Sequence, residues 1–489
     1  MPAFSLRAVS EPLRARPRLL VTSAGLAVIL AVLLTRTTGI HFDELNYMIR
    51  AHYERTGDTP RSGKPYAFYL LNYAVVHLVP AWTGGLQPVS LHLFYAALCV
   101  CSLAWLAAKA TERTDQFVWH FAALLGAPFF VFNSTQVMME TAVLPMVTLA
   151  VAAVIDLDRH GPRRQASVLL FIAATLALLF KETAAAALLI LLVAFWPRLG
   201  RRLWPLALAF VVGFGVQQVM LMAVHAPLRE NYGGISTLLD VNALSAHAKL
   251  TGQYVWTWMF YVWPMTLLAV VVLQARGWFR DPYERTLLYL GALSLVATIG
   301  IQLASNYPLV RYVYPALWLG VIAFAFLLVR GPRWLAALSI AMYVFPLGNM
   351  WRADPSRFSL WPSLVADEAH YSSYAILPGV PNLGWLAFAG DRRENMCILV
   401  SRGEGAVGPE WLERYFERVT VNPRFFDESQ LADFGRCEGP KAILRKQKQY
   451  FYVCGPECPQ ALFSERVCSV TENRFISPGQ MLTNLTCLP

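Results

Sequence analysis

The sequence predicts an all-α polytopic membrane protein with a soluble α/β domain at its C-terminal end. Three observations lead there. Of the 489 residues, 56% are hydrophobic and only 15% charged, with mean hydropathy +0.44, against about 25% charged residues in soluble proteins. Apolar runs of roughly 17–25 residues recur, the length that crosses about 30 Å of hydrocarbon. Six of the eight cysteines fall after residue 390, beyond the last apolar run. Alternating β-barrel strands would give a different pattern.

The first apolar run, about 19–36, has a basic front of Arg7, Arg14, Arg16 and Arg18 and ends on Arg36 rather than a small-residue cleavage site. It reads as a retained helix, not a removed signal. The next runs are about 89–108, 117–132, 138–155, 166–180, 183–197, 203–225, 252–275, 287–304, 311–329 and 334–350, which makes roughly eleven spans. The stretches 117–155 and 166–197 also read as single long broken elements.

Charge placement gives the orientation. A basic N-terminus starts the chain in the cytoplasm. Alternation then puts Lys109/Arg113, Arg159/Arg163/Arg164, Arg198/Arg201/Arg202, Arg276/Arg280/Arg285 and Arg330/Arg333 on that same side, as the positive-inside rule requires. The connections near 133–138, 181–182 and 305–310 are almost free of arginine. The net charge of +10 is thus explained by topology, and nucleic-acid binding is disfavoured. The transmembrane domain is 1–350, with a large outer loop at 37–88. Residues 351–489 face the periplasm or an equivalent lumen.

That tail holds Cys397, Cys437, Cys454, Cys458, Cys468 and Cys487. An even number in an oxidising compartment reads as up to three disulfides, with fifteen pairings open. A metal site around Cys454 and Cys458 is disfavoured because no histidine pair stands nearby, so no metal ligand is assigned. "MCILVS" (396–401) and "QYFYVC" (449–454) have strand character. "PEWLERYFERV" (409–419) has helical spacing. Cys99 and Cys101 lie inside a span and read as apolar filler.

Ionisable residues in or beside spans are expensive and therefore candidates for function. Four places qualify: Asp43-Glu44 in "GIHFDELNYM", Glu140, Lys181-Glu182, and Arg311. Each falls at the outer end of a span. Structural readings stand beside this one. Lys181-Glu182 fits a helix-hairpin tip, Glu140 fits an ion pair with Lys181 or Arg311, and Arg311 fits an interfacial anchor. Four segments placing acids and bases at one depth favour function. Group transfer from a lipid phosphate uses such a set. Cations hold charge on the phosphate, a carboxylate removes the proton of an attacking hydroxyl, and the phosphate leaves as a stable anion without a general acid. A transporter or flippase of a lipid-linked or anionic substrate is the alternative. It predicts broken spans and symmetric halves, of which only Gly213 and Gly215 in one span give a hint.

These residues resemble the GT-C superfamily of glycosyltransferases, in the branch of the protein O-mannosyltransferases and the lipid A aminoarabinose transferase. In "FDELNYMIRAHYERTGDTPRSGKPYAFYLLNY", Asp43, Glu44 and Tyr47 match the first motif. Gly57, Asp58, Pro60, Gly63, Lys64 and Pro65 match the second. Lys181-Glu182-Thr183 matches a later element, and Arg311, Tyr312 and Pro315 match the last. Glu140 stands where an aspartate is common, and Tyr66 where a second proline is usual. The likeness covers about residues 20–330. No "WWDYG"-like motif is present, which disfavours oligosaccharyltransferase.

The resemblance implies an inverting glycosyltransferase with a polyprenyl-phosphate-linked sugar as donor and a lipid, glycan or protein as acceptor. It sits in a lipid bilayer, in a bacterial inner membrane by preference. Asp43 is implied as the general base, with Glu44 orienting the acceptor or the first-loop helix. Lys64 and Arg311, with Lys181, bind the donor phosphate. Tyr47, Glu182 and Tyr312 belong to the same substrate-binding set. Glu140 contacts acceptor or sugar, or holds a cation in place. Carboxylates beside a phosphate also suit a divalent cation, Mg²⁺ or Mn²⁺. Related enzymes differ in using one, so no cofactor is assigned.

Overall fold

The computed structural model describes residues 6–35, 66–78, 87–135, 137–223, 241–304 and 310–347, together with seven strands between 373 and 487. Helices and strands form two compact units.

The helical unit follows the apolar runs. Its elements are α1 (Leu6–Thr35), α2 (Tyr66–Leu78), α3 (Gln87–Ala110), α4 (Thr114–Leu125), α5 (Pro128–Ser134), α6 (Met139–His160), α7 (Arg164–Phe180) and α8 (Ala184–Leu199). After a 3₁₀ turn (Gly200–Leu203) come α9 (Trp204–Ala223), α10 (Val241–Thr257), α11 (Thr266–Ala275) and α12 (Pro282–Ala304). A second 3₁₀ turn (Val310–Val313) precedes α13 (Tyr314–Arg330) and α14 (Arg333–Met342). Four helices among the described residues are long and apolar enough to cross a membrane: Leu91–Ala110, Met139–His160, Ala184–Val219 and Pro282–Ala304. The chain is an integral membrane protein with a polytopic helical fold.

Four details differ from the hydropathy reading. The loop 37–88 contains α2, which buries Phe68, Asn72 and Val75 and packs on α3 and α7. The run 117–132 is two helices, because the chain turns at Gly126-Ala127 and Pro128 takes the first position of α5, where its missing N–H costs nothing. The run 252–275 is broken by a π-helical turn at Trp258–Val262 and by Met265, whose φ of 56° is left-handed. The runs 166–180 and 183–197 are separate helices as read, joined by Lys181–Thr183, but the hairpin expected of them is not formed. Instead α7 lies along α6 and α9, and α8 along α12 and α13.

The core lies around α6 and α13, which are buried along nearly their whole lengths. Trp318 Nε1 on α13 donates to Thr148 Oγ1 on α6 at 2.8 Å, so the two most buried helices are tied together. Gly291 lets α12 approach α13, because a Cβ there would stand 2.4 Å from the Phe324 ring. Gly213 has a similar role. α9 is continuous through it, and a Cβ would meet Leu178 of α7 at 2.9 Å. This glycine serves close packing, and the span carrying Gly213 and Gly215 is one continuous helix.

The two ends of the bundle differ in chemistry. One end gathers the arginine-rich turns. Lys109 pairs with Asp156, Arg198 with Asp158, Arg330 with Asp281 and Glu284, and Arg333 with Asp115. Arg18 donates to the Glu112 carbonyl. Trp105, Trp196, Trp204, Trp278 and Trp334 are exposed at this end, each within four residues of a lysine or arginine of the same layer. Exposed tryptophan beside basic residues is the pattern of a membrane–water interface. At ~1.5 Å per residue, Glu140 on α6 lies ~24 Å from Asp156 along that helix, a separation that suits opposite sides of a hydrocarbon layer.

The second unit contains one seven-stranded sheet. Its strands are β1 (Ser373–Ile376), β2 (Cys397–Ser401), β3 (Arg418–Asn422), β4 (Lys441–Leu444), β5 (Tyr450–Cys454), β6 (Cys468–Ser477) and β7 (Gln480–Cys487), in spatial order β3-β2-β1-β4-β5-β7-β6. The half β3-β2-β1-β4 is parallel, while β4–β5 and β6–β7 are antiparallel. The two strands read from sequence appear as β2 and β5. The helix expected at 409–419 lies mostly outside the described residues, and its last two residues belong to β3. Cys468 and Cys487 stand opposite each other in the β6–β7 ladder. Cys437 and Cys458 lie outside the described residues.

Candidate active site

Glu140 is in the first turn of α6 and 1% exposed. Helix α7 ends at Phe180, and its C-cap residue Lys181 turns into extended backbone. The lysine main chain closes the helix, its N–H donating to Ala177 O at 3.0 Å and its carbonyl accepting from Ala184 N at 3.1 Å. The side chain is thereby sent toward α6, where Nζ donates to Glu140 Oε1 in a buried ion pair. Nζ also lies 5.1 Å from the centre of the Tyr312 ring, a cation–π contact. Tyr312 sits in the 3₁₀ turn Val310–Val313, which the chain needs to enter α13 through Pro315. Three segments separate in sequence thus meet at one point, at the end of the bundle opposite the arginine layer.

Glu140 Oε2 is buried and accepts no hydrogen bond among the described residues. One carboxylate oxygen is thus engaged by Lys181, and the other has no donor among the described residues. Several hydrogen bonds brace the segment before it, although Asn133 Oδ1 is buried without a partner among the described residues. Asn133 Nδ2 donates to Phe129 O at 2.7 Å, and Thr141 Oγ1 donates to Asn133 O at 2.9 Å. His92 Nδ1 lies 3.1 Å from Thr135 O, a hydrogen bond when that nitrogen is protonated. Asn133 is fully buried, so the sequon-like Asn133-Ser134-Thr135 is a packing feature.

Of the sequence candidates, Glu140, Lys181 and Tyr312 come together. Glu182 is half-buried beside Lys181. Arg311 lies in the same 3₁₀ turn as Tyr312. Asp43, Glu44, Tyr47 and Lys64 lie outside the described residues, Lys64 two positions before the start of α2. Among the described residues, no group of three or more His, Cys, Asp or Glu is placed to hold a metal ion.

The fold defined by these helices is that of a polytopic membrane protein already seen in crystal structures. ArnT from Cupriavidus metallidurans, in a structure bound to undecaprenyl phosphate, superposes with TM-score 0.55 at 14% sequence identity, over 93% of this chain and 96% of that one. The apo structure of the same ArnT matches equally, with TM-score 0.55 and 14% identity over 93% and 95%. ArnT is a GT-C lipid A aminoarabinose transferase. At this identity the likeness establishes a shared fold, the one the sequence motifs pointed to. No protein-family profile matches the chain, and no curated protein does.

Proposed function

We propose that the protein is an integral membrane glycosyltransferase that takes a sugar from a polyprenyl-phosphate carrier. The observation that carries the reading is the buried Glu140–Lys181 pair under Tyr312. It is a cation fixed at one end of a bundle with the fold of a protein seen with undecaprenyl phosphate. The buried carboxylate fixes the position of the Lys181 ammonium at that end of the bundle, the depth at which a lipid phosphate would lie.

In this reading Asp43 takes the proton of the acceptor hydroxyl, or a phosphate oxygen of the acceptor attacks directly. The new bond forms at the anomeric carbon as the bond from that carbon to the phosphate oxygen breaks. The polyprenyl phosphate departs as an anion, and the configuration inverts. Lys64, Lys181 and Arg311 bind the developing phosphate charge. Glu140 holds Lys181 in place, the last of its three sequence-level roles. Glu44, Tyr47 and Glu182 complete the substrate-binding set. A divalent cation is assigned no step.

The site faces outward, with the N-terminus cytoplasmic and residues 351–489 forming a periplasmic α/β domain stabilised by disulfides. The connections β1–β2, β2–β3 and β3–β4, residues 377–396, 402–417 and 423–440, are long enough for the crossovers parallel strands require.

Mass spectrometry of the membrane lipids and glycans of cells with and without the protein tests the reading and identifies the acceptor. One glycan, lipid or glycoprotein is expected to lose a single sugar residue when the protein is absent. An unchanged inventory, with the candidate carrier-linked sugars at unchanged levels, contradicts it.

A further inference from the structure

From Leu290 onward helix α12 is apolar except for a stripe at Ser294, Thr298 and Gln302, spaced four residues apart and therefore on one face. All three are at most 1% exposed. Ser294, the deepest, is satisfied, its Oγ donating to Leu290 O at 2.7 Å. The other two are not. Thr298 Oγ1 and both polar atoms of the Gln302 amide have no hydrogen-bond partner among the described residues. A buried amide left unpaired costs ~1–3 kcal/mol, so an apolar residue would have been the more stable choice.

Helix α10 packs against α12 and presents the same chemistry. His247 Nδ1 lies 3.2 Å from Leu303 O of α12, which fixes the register. His247, Thr251, Tyr254 and Trp258 are spaced at 4, 3 and 4 residues and share one face of the helix. Four residues from that contact along helices running in opposite senses, Thr251 comes level with residue 299, between Thr298 and Gln302. Thr251 is 4% exposed, and its hydroxyl also has no partner among the described residues, nor has Nε1 of Trp258, about two turns further along. The α10 helix gives way there to the π-turn at Trp258–Val262, a form that recurs at functional sites. By contrast Trp318, equally buried, has its indole N–H satisfied by Thr148.

The stripe ends near the candidate active site. Glu284 on α12 belongs to the arginine layer through Arg330, so Gln302, ~27 Å further along the helix, is at the other end. The 3₁₀ turn carrying Tyr312 follows shortly after in the chain and contacts α12.

We propose that Gln302, Thr298 and Thr251 form a subsite for the hydroxyl groups of the transferred sugar. The inference rests on the glycosyltransferase reading above. An amide offers one acceptor and two donors, and each hydroxyl offers both. No charged side chain belongs to the set. That inventory suits the ring hydroxyls of a neutral sugar face. A phosphate calls for cations, and an isoprenoid tail would be served by leucine.

The test uses full-length protein in liposomes with undecaprenyl-phosphate mannose and undecaprenyl-phosphate aminoarabinose as donors, deoxy analogues of whichever is consumed, and undecaprenyl phosphate alone. Gln302→Leu is expected to lower kcat/KM for the consumed donor about tenfold, the loss of one or two neutral hydrogen bonds. It should also erase the preference for the full donor over one deoxy analogue, leaving affinity for undecaprenyl phosphate within about twofold. Its thermal unfolding midpoint should be equal or higher, because an unpaired buried amide is gone. Thr298→Val should act in the same direction on a different deoxy analogue. Unchanged discrimination among analogues in both variants overturns the subsite, as does a fall in activity matched by a fall in thermal stability. If the wild type consumes neither donor while binding undecaprenyl phosphate, the enzyme reading fails instead, and the subsite with it.

Discussion

Asp43→Asn is expected to lower sugar transfer by about 10²–10⁴-fold, the usual contribution of a positioned general base. The carboxamide keeps the shape of the carboxylate but cannot take a proton. Binding of undecaprenyl phosphate should change less than about threefold, because the cations remain. The comparison requires single-turnover transfer rates and carrier affinity on the same preparation. Transfer at the wild-type rate removes Asp43 from the role of base. Loss of carrier binding in parallel with loss of transfer assigns it to binding instead. An acceptor that attacks through a phosphate oxygen, already ionised, would also leave the rate unchanged. The pH dependence of the wild type separates the two cases, because a base mechanism loses rate as the carboxylate is protonated.

The second large effect concerns the buried pair. Lys181→Met leaves the Glu140 carboxylate uncompensated inside the bundle, a change that costs roughly 3–5 kcal/mol. The double variant Glu140→Leu with Lys181→Met removes both charges, and well-packed apolar replacements of buried pairs are often neutral or stabilising. Thermal unfolding should therefore show a marked loss in the single variant and recovery of most of it in the double. Transfer should stay low in both, by about 10²–10³, the cost of losing one preorganised donor at a developing negative charge. Activity restored along with stability would make the pair a structural brace with no role in phosphate binding.

The two ends of the bundle are legible in the sequence at different depths of detail. The arginine layer follows directly, because the positive-inside rule acts on whole loops and tolerates errors of several residues. The structure gathers Lys109, Arg198, Arg330 and Arg333 at one end. The opposite end stands out by cost alone. Ionisable groups beside apolar runs are conspicuous, and this picks out Glu140 and Lys181, 41 residues apart. Which cation Glu140 meets is not legible. The choice between Lys181 and Arg311 depends on how α7 ends and how α6 is rotated, and a hydropathy profile carries neither. The polar stripe of α12 escapes a sequence reading for a related reason. Thr298 and Gln302 carry no charge and barely lower the hydropathy of their span. A four-residue spacing of Ser, Thr and Gln in an otherwise apolar helix is the available signal.

The 13 residues of α2 are too few to span a bilayer, so a search by length passes over it. Its burial comes from packing on α3 and α7, a tertiary fact. The connection Lys181–Thr183 reads from sequence as a hairpin tip. The structure instead uses it to separate helices that pack with different neighbours, which frees the lysine to turn inward.

The central claim is that a sugar leaves a polyprenyl-phosphate carrier on this protein. The most direct measurement is consumption of a radiolabelled carrier-linked sugar by purified protein in liposomes supplied with acceptor-bearing membrane extract. The account predicts one free polyprenyl phosphate released per sugar transferred, with the opposite anomeric configuration in the product. Movement of the intact carrier-linked sugar across the bilayer, with no free polyprenyl phosphate formed, would contradict it.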